Sequence, residues 1–212
     1  MKVKGRATQA GAWWIAAPVA LMAAVGWFGT SDLGGFDRAG LTLANAWRSP
    51  WLDTVFANLT WLGSLTVLLP LVLAAGILLW RRGRHDEARF LMAALVGASL
   101  LAHATKHMVL RPRPELFAAL TPVTSPLSFP SAHAAQVTAL AAAVWVLVSR
   151  LAPSHRRWVL PVLISIVGLV NFSRVYLQVH YPSDVLVGTV AAACWVFALG
   201  DLMFVRAATR SI

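Results

Sequence analysis

The sequence predicts an all-α, polytopic membrane protein. Six transmembrane helices form a bundle, short interfacial helices lie between the first and second spans, and residues 1–212 make a single domain. Three observations predict this. Hydrophobic residues make up 58% of the chain and charged residues 12%, about half the charged share of an ordinary soluble domain. Six apolar stretches approach the roughly 20 residues that cross a bilayer core: 11–29, 62–80, 88–109, 132–150, 158–177 and 185–205. The scarce charge is also lopsided, with 18 Lys and Arg against 8 Asp and Glu, a formal net +10. This balance excludes a disordered chain. It also argues against a soluble nucleic-acid binder, which spreads basic residues over a hydrated surface, so no nucleic-acid partner is expected. The one cysteine, Cys194, excludes an internal disulfide framework and any multi-cysteine metal site.

Lys2, Lys4 and Arg6 precede the first apolar run, which ends in Trp27-Phe28-Gly29-Thr30 with no small-x-small cleavage pattern. It reads as an uncleaved span and not as a signal peptide. The 31–61 segment mixes Leu33, Phe36, Leu41, Trp47, Trp51 and Phe56 with Asp32, Asp37, Arg38, Arg48 and Asp53. That mixture predicts one or two short interfacial helices, broken at Ser49-Pro50. The second span (Leu62 to Trp80) and the fourth (Ala132 to Val148) are the cleanest. The third carries His103, Lys106 and His107 near its end, and the fifth carries Asn171, Ser173 and Arg174. Polar side chains at such depth are costly and usually functional.

Orientation follows from the basic residues. With six spans, one side holds twelve Lys and Arg: Lys2, Lys4, Arg6, the 81–89 and 150–157 loops, and the tail. That side is cytoplasmic, with both termini inside. The other side holds Arg38, Arg48, Lys106, Arg111, Arg113 and Arg174, which the positive-inside rule leaves unexplained.

Three clusters fall on that outer side: Lys106 to Pro114, Phe129 to His133, and Ser173 to Asp184. Lys106, Arg113 and Arg174 supply three cations, suited to a phosphate group. Ser131 stands where it would cap the fourth span, so the N–H groups of Ala132 and His133 point out of a helix start, a ready anion site. His180 and Asp184 are four apart, with Pro182 suited to a first helical turn. The carboxylate can then accept from one ring nitrogen and leave the other free to attack. His133 is available as a general acid for the leaving oxygen. Two histidines with opposite duties and a cationic cradle describe phosphoryl transfer through a phosphohistidine, with no metal or other cofactor needed.

Each piece has a plainer reading. Pro-Ser before a helix is commonly just a cap, Asp184 would suit a helix dipole whatever its neighbour, and a Lys or Arg near a span end commonly snorkels to headgroups. His103 and His107 are also four apart, a metal-binding spacing, but no third ligand accompanies them. Arg111 sits off the motif spacing and reads as an outer phosphate or headgroup contact. The plainer readings fail when all three clusters are taken together.

The clusters resemble the signature of the type-2 phosphatidic acid phosphatase superfamily, which includes vanadium haloperoxidases. Lys106…Arg113-Pro114, Pro130-Ser131-Ala132-His133 and Ser173-Arg174…His180…Asp184 match its spacings in order, with Ala132 standing where the family has glycine. The resemblance implies that Lys106, Arg113 and Arg174 hold the phosphate oxygens, and that Ser131 and the backbone at Ala132 hydrogen-bond them. It implies that His133 protonates the leaving group, His180 attacks phosphorus and Asp184 orients His180. A backbone N–H survives at Ala132, but its Cβ would crowd the site if the glycine needed an unusual backbone angle.

The resemblance therefore implies an integral lipid phosphatase of the bacterial inner membrane, its partners the bilayer and a lipid phosphate, with its site facing outward. Undecaprenyl pyrophosphate is the favoured substrate; phosphatidylglycerophosphate, phosphatidate and lipid A remain open. A phosphotransferase would share the phosphohistidine, and a transporter of anionic lipids would need only the cations. The oligomeric state is not read from the sequence.

Overall fold

The structure is a computed structural model that describes residues 34–205. The predicted first span and both termini lie outside the described residues. Helix α1 covers Gly34–Ala46 and α2 covers Pro50–Leu59, followed by a 3₁₀ turn at Thr60–Gly63. Four longer helices follow: α3 Leu65–Arg81, α4 His85–Val109, α5 Ala132–Leu151 and α6 Arg156–Tyr176, the last preceded by a 3₁₀ turn at Pro153–His155. The series ends with α7 Pro182–Gly200 and a π-helical turn at Asp201–Val205.

Four helical segments are long and apolar enough to cross a membrane: His85–Val109, Ala132–Leu151, Pro153–Tyr176 and Pro182–Phe204. A further candidate is the pair Pro50–Gly63 and Leu65–Arg81, bent by 43°. The described residues therefore hold four candidate spans, or five if the bent pair is one, where the hydropathy pattern predicts five. The difference lies in the predicted second span, 62–80. Its helix starts at Leu65, because Ser64 breaks the chain with an extended backbone and its Oγ accepts from the Thr66 N–H at 3.3 Å. The 17 residues that remain rise roughly 26 Å, short of a bilayer core of about 30 Å. The break expected at Ser49-Pro50 separates α1 from α2, with Ser49 Oγ accepting from Leu52 N.

Helix α5 is central and packs against α4, α6 and α7. The core between them is built from small residues at four-residue spacing, Ala94, Ala98 and Ala102 on α4 and Ala135, Ala139 and Ala143 on α5, with Phe90, Leu95 and Val196 filling the gaps. Small side chains let helix backbones approach closely, the usual device of membrane bundles. A close approach to backbone is at Gly188 of α7, where a Cβ would lie 2.8 Å from the Ser131 carbonyl oxygen. Outward faces are apolar: Leu71, Ile77 and Leu78 on α3 and Val162, Ile164 and Leu169 on α6 are exposed, which suits contact with lipid.

One end of the bundle collects the chemistry, because α4 and α6 finish there while α5 and α7 begin there. Two turns without glycine aim the chain into it. Leu110 has φ 55° as it ends α4, and Gln178 has φ 60° just after α6, a left-handed conformation that costs an L-residue about 1–2 kcal/mol. Helix α2 is fixed over the same end by Tyr176, whose Oη donates to Asp53 Oδ1 at 2.7 Å and accepts from Ser49 N at 3.3 Å, while its ring packs on Phe56.

Candidate active site

The end of α4, the start of α5, the last turn of α6 and the 177–181 turn enclose a cavity of about 660 Å³. Lys106, Arg113, Ala132, His133, Arg174 and His180 all line it. Ser131 and Asp184, the other two predicted site residues, are fully buried behind that wall.

The cations are held from behind by neutral oxygen acceptors. Lys106 Nζ donates to the Leu127 carbonyl at 2.8 Å, and Arg113 Nε donates to the Ser125 carbonyl at 2.7 Å while its Nη1 donates to the Val179 carbonyl. Arg174 Nη1 donates to Thr60 Oγ1 at 2.6 Å, and its Nε, although buried, has no hydrogen-bond partner among the described residues. Three cations, with no carboxylate among the described residues of the cavity wall, are poised for an anionic ligand, and the Arg174 Nε supplies one donor for it. Burial holds the Arg113 guanidinium below its ordinary value, although the Asp184 charge opposes that shift.

His180 sits between charge types. Its Nδ1 lies 3.4 Å from Asp184 Oδ2, and its Nε2 lies 3.4 Å from Arg113 Nη1 on the cavity side. The ring also makes a backbone hydrogen bond to Ser128. Burial first, and then the charges of Arg174, Arg113 and Lys106, push His180 well below its ordinary value. A neutral ring with its proton on Nδ1 leaves a lone pair on Nε2, directed to where the cations converge.

Ser131 caps α5, its Oγ accepting from Ala134 N at 3.4 Å, and its own N–H donates to the Asp184 carbonyl at 3.1 Å. The start of α5 is thereby tied to the first turn of α7. Ala132 is the first residue of α5, and the positive-φ residues other than glycine among the described residues are Leu110 and Gln178. The Cβ at this position therefore needs no unusual backbone angle.

Sequence reasoning missed several neighbours. Thr60, Ser64 and Thr66 line the cavity from the α2–α3 break, and Gln136 lines it one turn beyond His133. No motif marks them: Thr60 meets Arg174 across 114 positions, while Ser64 and Thr66 bond each other within one short turn. His103 and His107 lie on the same wall, with His103 Nδ1 2.9 Å from the Ser99 carbonyl. Among the described residues no three His, Cys, Asp or Glu side chains are grouped to hold a metal ion. Arg111, read from the sequence as an outer phosphate or headgroup contact, turns away from the cavity. Its Nη1 donates to Asp184 Oδ1 at 2.7 Å and its Nη2 to Asp37 Oδ2 at 2.6 Å. Burial opposes its charge, but these two carboxylates outweigh burial and raise the group above its ordinary value.

Residues 87–207 match the family described as the PAP2 superfamily. The chain is similar to phosphatidylglycerophosphatase B of Bacillus subtilis (strain 168), with 34% identity over 163 residues, 74% of each chain. It is also similar to decaprenylphosphoryl-5-phosphoribose phosphatase of Mycobacterium tuberculosis, 38% identical over 131 residues, 59% of this chain and 65% of that one. Among solved structures it resembles a transmembrane PAP2-type phosphatidylglycerolphosphate phosphatase from Bacillus subtilis. That match has a TM-score of 0.76 and 30% identity and covers 91% of this chain and 94% of the other. Aquifex aeolicus LpxE matches with a TM-score of 0.60 and 27% identity, over 75% of this chain and 92% of the other.

Proposed function

The chain belongs to the PAP2 superfamily, a membrane protein and a phosphatase acting on lipid phosphates, and from that premise we propose that it hydrolyses a lipid phosphomonoester through a phosphohistidine at His180. The observation that carries this reading is the convergence of Lys106, Arg113, Arg174, His133 and His180 on one cavity. The three cations take the phosphate oxygens, joined by the N–H groups at the start of α5. His180 Nε2 attacks phosphorus while Asp184 holds the proton on Nδ1. The P–O bond to the lipid headgroup breaks, and the leaving oxygen takes a proton from His133. A water then gives a proton to His133 as it attacks the phosphohistidine, which releases inorganic phosphate and restores both rings. No step needs a metal.

The relatives' names shift the substrate preference. Phosphatidylglycerophosphatase and decaprenylphosphoryl-5-phosphoribose phosphatase are named for a phosphate borne on a lipid-linked glycerol or ribose. That supports a polyol-linked phosphomonoester such as phosphatidylglycerophosphate ahead of the undecaprenyl pyrophosphate that the outward-facing site alone favoured. The orientation is part of the proposal. Arg81, Arg82, Arg84, Arg150, Arg156 and Arg157 sit at the end of the bundle opposite the cavity. By the positive-inside rule that end is cytoplasmic in a bacterial inner membrane, with both termini inside and the cavity facing outward.

The test is phosphate release by purified protein in detergent with EDTA present, from phosphatidylglycerophosphate, phosphatidate and undecaprenyl pyrophosphate. The reading expects turnover without added metal, fastest on phosphatidylglycerophosphate, and its loss in His180→Ala. Strict metal dependence or full activity in that variant overturns the mechanism. Preference for the pyrophosphate overturns the substrate assignment alone.

A further inference from the structure

Two charges beside the site that the mechanism does not use are Asp37, which is buried, and Arg111, which is partly buried. Asp37 comes from α1, a helix that supplies no side chain to the phosphate cavity, yet it is almost wholly buried. It accepts from the Ser183 N–H at 2.9 Å and from Ser183 Oγ at 2.7 Å, in addition to Arg111. Ser183 is the second residue of α7, where a helix start leaves N–H groups without intrahelical partners. Asp37 therefore caps the helix bearing Asp184 from another helix, across 146 positions of sequence.

Arg111 completes the bridge. One guanidinium nitrogen donates to both Ser183 Oγ and Asp184 Oδ1, the other donates to Asp37, and the plane stacks over the Tyr181 ring at 3.9 Å. Asp184 thus has Oδ1 on Arg111, and Oδ2 shared between the Tyr181 N–H at 3.0 Å and His180 Nδ1. Two further contacts bolt α1 to this turn. A Cβ on Gly40 would lie 2.5 Å from the Pro182 ring, and the Leu41 carbonyl accepts from Gln178 Nε2 at 3.1 Å.

We infer that Asp37 and Arg111 are positioning residues for the nucleophile: they lock the Asp184 carboxylate at the start of α7, so that its free edge holds the His180 ring with Nε2 toward phosphorus. The inference rests on the His180 nucleophile proposed above. Neither residue lines the phosphate cavity. Their loss therefore slows chemistry without weakening substrate binding, because a small misplacement of reacting groups costs about 10²-fold in rate. Helix α1 belongs to the catalytic apparatus in this sense, although it lies outside every sequence motif.

The experiment uses the full chain in detergent, with phosphatidylglycerophosphate as substrate. Asp37→Asn keeps the shape and removes the charge; Arg111→Ala opens a guanidinium-sized space beside a cavity of about 500 Å³ that Arg111, Asp37 and Tyr181 line. The expected result is a fall in kcat of about 10²-fold in each variant with KM within about threefold. The double variant should be no slower than the worse single one, since both act through one network. Guanidinium ion should restore Arg111→Ala and have no effect on His180→Ala. A rise in KM at unchanged kcat, or a wild-type rate in Asp37→Asn, overturns the inference. Formation of the phosphoenzyme, followed with labelled substrate, separates the two claims. Wild type that never labels refutes the phosphohistidine itself, whereas wild type that labels no faster than Arg111→Ala refutes only the positioning role. If Arg111→Ala does not fold, Asp37→Asn alone decides.

Discussion

A tight joint near the site is the crossing of α7 over the start of α5, and Gly188→Ala tests it. An added Cβ would stand 2.8 Å from the Ser131 carbonyl oxygen, a backbone atom with no flexible end to move. Ordinary contact begins near 3.4 Å, so the two helices must part by about half an ångström. They are joined at that point by the Ser131 N–H donating to the Asp184 carbonyl at 3.1 Å. Separation therefore draws His133, two residues into α5, away from His180 and Asp184 at the head of α7. If 1 Å of misplacement costs about 10²-fold, half of it costs about tenfold in kcat. Stability should also fall, by about 1–3 kcal/mol for overpacking, offset by up to about 1 kcal/mol from replacing glycine within a helix. Gly168→Ala is the matched control, since a Cβ there meets nothing within 4 Å and only the helix gain remains. The assay is steady-state phosphate release with a thermal melt of each variant. Gly188→Ala with wild-type kcat and the stability of Gly168→Ala would refute the reasoning.

Other consequences are equally measurable. Leu110→Gly relieves a left-handed residue at an exposed helix end and should raise stability by about 1 kcal/mol, read as a higher melting temperature; a drop would contradict the strain. Ala132→Gly should leave kcat within about threefold, because Ala132 already has an ordinary helical backbone; a large gain would show that the Cβ crowds the phosphate. His180 is held well below 6.5 by burial and by the neighbouring cations, so it stays neutral in the folded protein while the unfolded chain takes up a proton. Its contribution to stability is therefore lost as pH falls below about 6.5, with a limiting slope of about 1.4 kcal/mol per pH unit. The pH dependence of unfolding in His180→Gln should be flatter by that amount, and identical profiles would place His180 in a hydrated setting.

What was legible in the sequence is what reaction chemistry forces into a fixed order. Lys106, Arg113, Arg174, His133 and His180 meet at one cavity, and their spacing within a helix or turn keeps them on that wall. The helices α4 to α7 were legible because an apolar run of bilayer length admits few other structures. The α3 boundary was not, since hydropathy counts Leu62 as apolar and cannot see Ser64 capping its own helix. Asp37 and Arg111 were misread and Thr60 missed for one reason: their partners lie 73 to 146 positions away in sequence. Single charges among apolar residues look like interfacial decoration until the fold brings them together.

The central claim is covalent transfer of the phosphoryl group to His180, and the direct measurement is to trap it. Phosphatidylglycerophosphate labelled in its terminal phosphate is mixed rapidly with the purified protein, quenched in alkali, and the peptide carrying the label is identified. The account predicts an acid-labile, alkali-stable adduct on the peptide containing His180. Asp184→Asn should form it more slowly, and His180→Ala should form none. Turnover with no labelled histidine, or label on His133 in place of His180, would contradict it.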